Sequence, residues 1–202
     1  VAIYNNNIFE IIETSRTILP YQLDVSDECN VRRFVEDNLD ILKNITLIHG
    51  AGVAKSNLTI NHSKEMWNAA IDVNLTANFL LTKALLPLMI KQKWGRIVHF
   101  SSIRASAGTL SYTATKQGLL GMSKVLSKEY AKFNITSNAL ILGAFDTGMF
   151  QSLKEKVKNE LINQIPAKKL GKVEDIVRAI DFIIDSPFLN GAEITIDGGA
   201  SG

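Results

Sequence analysis

The chain alternates between short apolar runs and longer segments whose apolar residues recur with helical spacing. Runs rich in β-branched and aromatic residues predict strands at 1–4, within 18–25, within 45–52, and at 96–100, 135–142 and 192–199. Apolar positions three or four residues apart predict helices over 64–93, 112–133 and 173–185. Several strand runs are apolar throughout, which is typical of strands buried on both faces of a parallel sheet.

Strands separated by helices imply right-handed βαβ crossovers and therefore a doubly wound α/β fold. The 202 residues contain no internal repeat and no linker rich in Pro or Ser, so we predict a single domain over 1–202. In such sheets ligands bind beyond the carboxyl ends of the strands. The polar and glycine-bearing positions at those ends are Asp24, 49–52, Ser101, Ser102 and 142–147.

Composition excludes several classes of protein. With 46% hydrophobic residues, 21% charged residues and a net charge of +2, the chain is neither disordered nor a nucleic-acid or membrane-surface binder. Cys29 is the only cysteine, which excludes a disulfide scaffold, and we expect no metal site. Because no apolar run reaches the roughly 18 residues of a membrane span and the first residues lack a signal-peptide pattern, we expect a cytoplasmic protein.

The sharpest local motif is Tyr112-Thr-Ala-Thr-Lys116. On a helix, positions i and i+4 share a face, so the phenol and the ammonium can meet over one ligand. A neighbouring cation favours the ionised phenol and so makes tyrosine useful as a general acid or base. Taken alone, however, the pair favours the structural interpretation of a core tyrosine beside a surface lysine.

Neighbouring motifs favour a catalytic role for Tyr112 and Lys116 instead. Ser102 stands ten residues before Tyr112, at the end of a predicted strand, where a hydroxyl can hydrogen-bond a substrate carbonyl. Asn74 lies in the middle of the predicted helix 64–93, either as a satisfied core residue or as a holder of ordered water for a proton relay. The glycines at 50 and 52 follow a buried strand, where the backbone can approach a ligand closely.

Six segments occur in a characteristic order: LDVSD, HGAG, VNLTANF, GRIVHFSS, YTATK and NALILGAFDTGM, followed by a closing IDGG. This order resembles the short-chain dehydrogenase/reductase family, in particular its members related to 3-oxoacyl-carrier-protein reductases. The resemblance implies a Rossmann-like, three-layer αβα fold. It also implies NAD(P)-dependent interconversion of a carbonyl and a secondary alcohol, with a small molecule or an acyl thioester as substrate. Dimers or tetramers built through helices 64–93 and 112–133 are usual in the family.

The resemblance also implies roles for individual residues. Ser102, Tyr112 and Lys116 would form a catalytic triad, with Asn74 completing a tetrad. Tyr112 would donate the proton to the carbonyl oxygen, Lys116 would assist it and hold the nicotinamide ribose, and Ser102 would orient the substrate. The implied cofactor contacts are Asp24, Val25, Gly50, Ala51, Gly52, Tyr112, Lys116, Gly143, Ala144, Phe145 and Thr147.

Two departures from the family pattern and one alternative register affect this assignment. His49 stands where the family usually has asparagine, and we interpret it as a structural substitute. The interval from Ser102 to Tyr112 is shorter than usual, which predicts a trimmed loop over the substrate. If the register slips by one residue, Ser101 takes the place of Ser102.

The front of the chain lacks the glycine-rich turn that usually follows the first strand of the family. One interpretation makes the run at 1–4 the second strand, joined by a short helical connection to 18–25. The first βα unit is then missing, and two strands are left without a neighbour. The rival interpretation makes 1–4 the first strand, with the second strand lost.

The front of the chain also bears on the choice of cofactor and on turnover. The segment after the first run, Asn5–Asn7, offers no acid for a ribose 2′-hydroxyl, which favours NADP over NAD while leaving NAD open. An alternative function is a nucleotide-sensing or oligomer-forming binding protein that has lost turnover. The absent glycine turn favours that alternative, and the intact Ser-Tyr-Lys set argues against it.

Overall fold

The computed structural model describes residues 2–4, 19–151 and 153–201. Its strands are β1 (Ala2–Tyr4), β2 (Pro20–Gln22), β3 (Thr46–His49), β4 (Gly95–Ser102), β5 (Ile135–Leu142) and β6 (Glu193–Ile196). Its α-helices are α1 (Glu28–Asp37), α2 (Lys64–Ile71), α3 (Ala77–Gln92), α4 (Leu110–Tyr130), α5 (Gly148–Gln151), α6 (Glu155–Gln164) and α7 (Val173–Asp185).

Strands β3, β4, β5 and β6 form one sheet in that order, and every neighbouring pair is parallel. Helices connect the successive strands, because parallel neighbours cannot be joined by a tight turn. In the central strand β4 all residues are buried except the partly buried Phe100. Burial on both faces explains why buried and exposed positions do not alternate along this strand.

Helices cover both faces of the four-stranded sheet. On one face, Ile97 of β4 packs in a cluster with Phe34 of α1 and Met89 of α3. On the opposite face, Val98 of β4 packs with Ile183 of α7. The predicted three-layer, doubly wound α/β fold is therefore confirmed.

The front of the chain forms a separate pair of strands. β1 pairs in parallel with β2, with Ile3 opposite Tyr21, and the described residues show no pairing between β1 and β3. This is the arrangement expected if the run at 1–4 corresponds to the family's second strand. Ile48 of β3 is 43% exposed, in line with an edge that lacks a neighbour. The predicted helical connection falls within 5–18, outside the described residues.

Some elements differ from the sequence prediction. Helices α1 and α6 were not predicted, because their apolar positions are few and most of their residues are polar. Helix α1 is nevertheless signalled by its N-cap, where the Asp27 carboxylate accepts from the backbone N–H groups of Cys29 and Asn30. Helix α4 begins at Leu110, two residues before the predicted start.

Helices α2 and α3 are joined without a break by a π-helical segment, Asp72–Thr76. By length and composition alone, this continuous helix of 29 residues could cross a membrane. Half of its most apolar window is buried inside the protein, as in the core helix of a folded domain. Its inward residues include Leu81 and Met89, which belong to the core beside the sheet.

Candidate active site

Lys116 lies at the centre of the candidate site. Helix α4 carries it towards the carboxyl end of β4, where its Nζ donates a hydrogen bond of 2.7 Å to the carbonyl oxygen of Phe100. The same Nζ lies 5.7 Å from the centroid of the Tyr112 ring, one helical turn earlier. The predicted pairing of Tyr112 and Lys116 on one helix face is therefore present in the structure.

Burial changes the protonation of Lys116. The residue is only 7% exposed, and loss of solvent around the ammonium lowers the pKa of Lys116 to about 8. No carboxylate in the described part of the chain forms an ion pair with it. Lys116 is thus a buried cation that can change its charge close to neutral pH.

Tyr112 is buried, but its hydroxyl is not engaged. The residue is 9% exposed, and its backbone carbonyl accepts a 2.7 Å hydrogen bond from the Thr115 hydroxyl. Among the residues that the structure describes, none forms a hydrogen bond with the phenolic oxygen. The phenol is therefore free to meet a ligand.

Asn74 sits in the π-helical segment, and its side chain is fully buried. Its Oδ1 accepts from the Val53 backbone N–H at 2.8 Å, and its Nδ2 donates to the Val53 carbonyl at 2.9 Å. The Nδ2 also lies 3.1 Å from the Thr115 hydroxyl oxygen. Of the two interpretations offered by the sequence, the side-chain geometry fits the satisfied core residue, which ties the loop after β3 to helix α4.

The two adjacent serines of β4 have different partners. The Ser101 hydroxyl donates a 2.7 Å hydrogen bond to the Lys116 backbone carbonyl, so its proton is committed to helix α4. The Ser102 oxygen instead accepts from the Arg104 backbone N–H at 3.1 Å, which leaves its own proton free. This difference favours Ser102 over Ser101 as the residue that meets a substrate.

The glycine-bearing turn after β3 closes one side of the site. Gly50, Ala51 and Gly52 are all exposed. A β-carbon on Gly52 would lie 3.5 Å from Asn74 Oδ1 and 3.6 Å from Lys116 Nζ. The turn therefore leaves bare backbone beside the candidate tetrad.

Residues after β5 occupy a second turn at the same end of the sheet. A β-carbon on Gly143 would lie 2.7 Å from the Asp197 Cα, so the ends of β5 and β6 approach closely there only because residue 143 is glycine. The ring of Phe145 is buried and packs onto Gly171. Thr147 is partly buried, and its backbone N–H donates to the Phe145 carbonyl.

Asp24 and Val25 stand apart from this group, after the separate strand β2. The Asp24 carboxylate accepts from the backbone N–H and the hydroxyl of Ser26, and these hydrogen bonds lower the pKa of Asp24. Val25 is partly buried and packs against the core. No contact among the described residues joins either residue to Lys116, so the structure brings Lys116 and Asn74 together with the turn at 50–52 but not with this pair.

His49 belongs to a buried pair of histidines. Its Nε2 lies 3.1 Å from the Thr82 hydroxyl, and its ring stacks on His99 with centroids 5.0 Å apart. Burial lowers the pKa of His49 well below its usual value, and the charges of His99 and Lys116 act in the same direction. Burial, followed by the charge of Lys116, lowers the pKa of His99 to about 4. These neutral, packed rings fit the predicted structural role of His49.

Several groups that organise the site were not identified from the sequence. They are the Phe100 carbonyl, the Val53 backbone and the Thr115 hydroxyl. Only Thr115 carried a signal, because it shares a helix face with Tyr112. No cluster of three or more His, Cys, Asp or Glu residues that could hold a metal ion occurs among the described residues.

Comparison with known proteins agrees with the geometry. The sequence profile described as enoyl-(acyl carrier protein) reductase matches residues 5–201. The chain is 36% identical to a 3-oxoacyl-(acyl-carrier-protein) reductase of Thermotoga maritima over 186 residues, which cover 89% of this chain and 76% of that protein. It is 32% identical to the Synechocystis protein of the same name, with coverages of 95% and 79%.

A solved structure shows the same fold. A crystal structure from Burkholderia xenovorans, described as a candidate short-chain dehydrogenase/reductase, superposes with a TM-score of 0.86 at 29% sequence identity. The match covers 93% of this chain and 76% of that chain.

Proposed function

This chain belongs to the short-chain dehydrogenase/reductase family of oxidoreductases, and we propose that it interconverts a carbonyl and a secondary alcohol with NAD(P)(H) as cofactor. The substrate that we propose is a 3-oxoacyl thioester, in keeping with the names of the similar proteins from Thermotoga maritima and Synechocystis. Tyr112 is the proposed general acid and base, assisted by Lys116 and Ser102, while Asn74 fixes the loop after β3 beside them.

The observation that carries this proposal is the arrangement of Lys116 and Tyr112. A buried ammonium, fixed by the Phe100 carbonyl, lies beside a phenol whose hydroxyl has no described partner. The cation stabilises the phenolate that remains after the proton is given up, so proton transfer to a substrate oxygen becomes easier. Ser102 offers a second donor for the same oxygen and stabilises the charge that develops on it.

The residues around Lys116 suit a nicotinamide cofactor. Only one of the three ammonium protons is used by Phe100, and bare backbone at Gly52 lies beside it, which leaves room and donors for ribose hydroxyls. We propose that the cofactor is held by Lys116, 50–52, Gly143, Thr147, Asp24 and Val25. The cofactor supplies the hydride, and the protein supplies position and electrostatics. We propose NADP as the preferred form, because Asn5–Asn7 carry no acid for a free 2′-hydroxyl.

We further propose that the protein forms dimers or tetramers through α3 and α4. A groove between these helices is lined by apolar side chains, among them Phe79, which is 50% exposed, and Val125, which is 53% exposed. A second copy of the same surface would remove these side chains from water. Light scattering on the protein and on a Val125→Glu variant tests this point: a monomeric unmodified protein would contradict it.

Turnover with defined substrates tests the function. Purified protein would be mixed with NADPH or NADH and a 3-oxoacyl thioester, a simple ketone or a 3-oxo acid, and the nicotinamide absorbance would be followed. We expect oxidation of the cofactor to be fastest with the thioester and NADPH. Cofactor binding, measured by the fluorescence of Trp67 and Trp94, without any turnover would overturn the proposal and favour the nucleotide-binding alternative.

A further inference from the structure

The loop between β4 and α4 is held by a chain of side-chain hydrogen bonds. The Ser106 backbone N–H donates to the Thr109 hydroxyl oxygen at 3.1 Å, and that oxygen lies 3.0 Å from the Thr113 hydroxyl. The Thr113 hydroxyl in turn donates to the Arg104 carbonyl at 3.0 Å. Thr113 directly follows Tyr112, so the first turn of α4 carries both the proposed acid and a clamp on this loop.

Arg104 is held on both of its backbone polar groups. Its carbonyl accepts from Thr113, and its N–H donates to the Ser102 oxygen at 3.1 Å. The Ser102 side chain is only 8% exposed, so the direction of this one hydrogen bond largely decides where its remaining lone pair and its proton point.

The number of hydroxyl protons determines the direction of these hydrogen bonds. A hydroxyl has one proton, and in the described structure the Thr113 proton is donated to the Arg104 carbonyl. Thr113 can then only accept from Thr109, whose own proton is shared between Thr113 and the Ser106 carbonyl at 2.7 Å. In either case the N–H and the carbonyl of Arg104 both keep their partners, and the Ser102 oxygen receives an N–H, so the Ser102 proton is left to be donated elsewhere.

We propose that Thr113 is a positioning residue, which acts through Arg104 to aim the Ser102 hydroxyl at the substrate oxygen. This inference rests on the proposed function, because it assigns a purpose to Ser102 in that reaction. Thr113 lies between Tyr112 and Lys116, but the proton transfer proposed for that pair does not itself require a hydroxyl at this position.

Three single variants test the proposal. Thr113→Val keeps the shape of the side chain and removes the hydroxyl, Thr113→Ser keeps the hydroxyl, and Thr195→Val is a matched control on the exposed face of β6. We expect Thr113→Val to lower kcat about tenfold while cofactor affinity stays unchanged, because only the aim of one donor is lost. Thr113→Ser should recover most of the rate, and Thr195→Val should not differ from the unmodified protein.

A double-mutant cycle separates positioning from a general structural effect. In a Ser102→Ala background, Thr113→Val should have little further effect on kcat, since there is no longer a hydroxyl to aim. Additive losses in the cycle, or a Thr113→Val rate within about twofold of the unmodified protein, would overturn the inference.

A readout without turnover keeps the inference distinct from the proposed function. Hydrogen exchange of the Arg104 amide, followed by NMR, should accelerate in both Thr113→Val and Ser102→Ala, because each removes a fixed partner of that residue. If the unmodified protein reduces no carbonyl, the proposed function fails, but the exchange rate still shows whether Thr113 fixes the position of Arg104. Unchanged exchange in Thr113→Val would overturn the inference.

Discussion

The Lys116 ammonium lies 2.7 Å from the carbonyl oxygen of Phe100, so a backbone group at the end of β4, and no described carboxylate, anchors the central cation of the site. A carbonyl fixes the position of the ammonium without neutralising it. The full positive charge therefore remains available to the neighbouring Tyr112 and to a bound cofactor. Burial costs free energy because the ammonium loses its hydration, and this loss lowers the pKa of Lys116.

Replacing Lys116 should change how stability depends on pH. In the folded protein the pKa of Lys116 is about 8, against 10.5 in the unfolded chain, so between these values the unfolded state binds more protons. The free energy of unfolding should therefore rise with pH across that window, by up to about 3 kcal/mol. Denaturant titrations from pH 8 to 10.5 should show this rise, and Lys116→Met should abolish it.

The control for this prediction is Lys128→Met, an exposed lysine on the same helix. It should keep the pH dependence of the unmodified protein. A Lys116→Met protein with the same rise in stability would show that the burial of the ammonium is not its source. Lys116→Met should in addition have lost turnover, since it removes the cation beside Tyr112.

The buried histidine pair predicts a loss of stability in mild acid. The pKa of His99 is about 4 in the folded protein against 6.5 unfolded, and the pKa of His49 is lowered in the same direction. As the pH falls from 6.5 to 4, the unfolded state takes up protons first, so the free energy of unfolding should decrease, by about 3 kcal/mol for His99 alone.

A double variant, His49→Asn with His99→Asn, should flatten this dependence. Its stability at neutral pH will differ because packing changes, so the comparison rests on the slope between pH 6.5 and 4. Urea unfolding at a series of pH values gives that slope. An undiminished slope in the double variant would mean that other groups titrate in this range.

The close approach of β5 and β6 predicts a sharp contrast between two glycines. Gly143→Ala places a methyl group 2.7 Å from the Asp197 Cα and should destabilise the protein by about 2 kcal/mol or more. Gly121→Ala, on α4, meets nothing within 4 Å and should be neutral or stabilise by up to about 1 kcal/mol. Thermal unfolding of both variants checks the pair; equal effects would contradict the packing described for Gly143.

The hydrogen bonds of the Asn74 side chain predict that its removal lowers the stability of the protein. Asn74→Ala removes the partners of the Val53 N–H and carbonyl groups, so we expect about 3 kcal/mol of destabilisation and a displaced turn at 50–52. Asn68→Ala, on the exposed surface of α2, should cost less than about 0.5 kcal/mol. Chemical denaturation measures both, and similar values for the two variants would contradict the role assigned to Asn74.

The sequence predicted best those elements whose apolar positions form a clear strand or helix pattern. Strand β5 and helix α7 have the predicted bounds, because their apolar patterns begin and end sharply. Helices α1 and α6 escaped prediction, since a helix at the surface needs few apolar residues and its start depends on a cap such as Asp27.

The residues of the site were likewise predicted only in part. The helical spacing of Tyr112 and Lys116 was enough to place them together, because it depends only on local geometry. The partners of Asn74, at Val53 and Thr115, are distant in sequence, so only the folded chain distinguishes a structural from a water-holding asparagine. The bonds from Thr113 to Arg104 and on to Ser102 depend on the conformation of a loop, which the residue pattern does not specify.

We propose that the Tyr112 hydroxyl transfers the proton. Tyr112→Phe removes that one oxygen, which has no hydrogen-bond partner among the described residues, so the fold and cofactor binding should be unaffected. The matched control is Tyr130→Phe, at the other end of the same helix. The most direct measurement is kcat for carbonyl reduction in both variants: we predict a loss of at least about a hundredfold in Tyr112→Phe and an unchanged rate in Tyr130→Phe. A folded Tyr112→Phe protein that retains the rate of the unmodified enzyme would show that the Tyr112 hydroxyl does not transfer the proton.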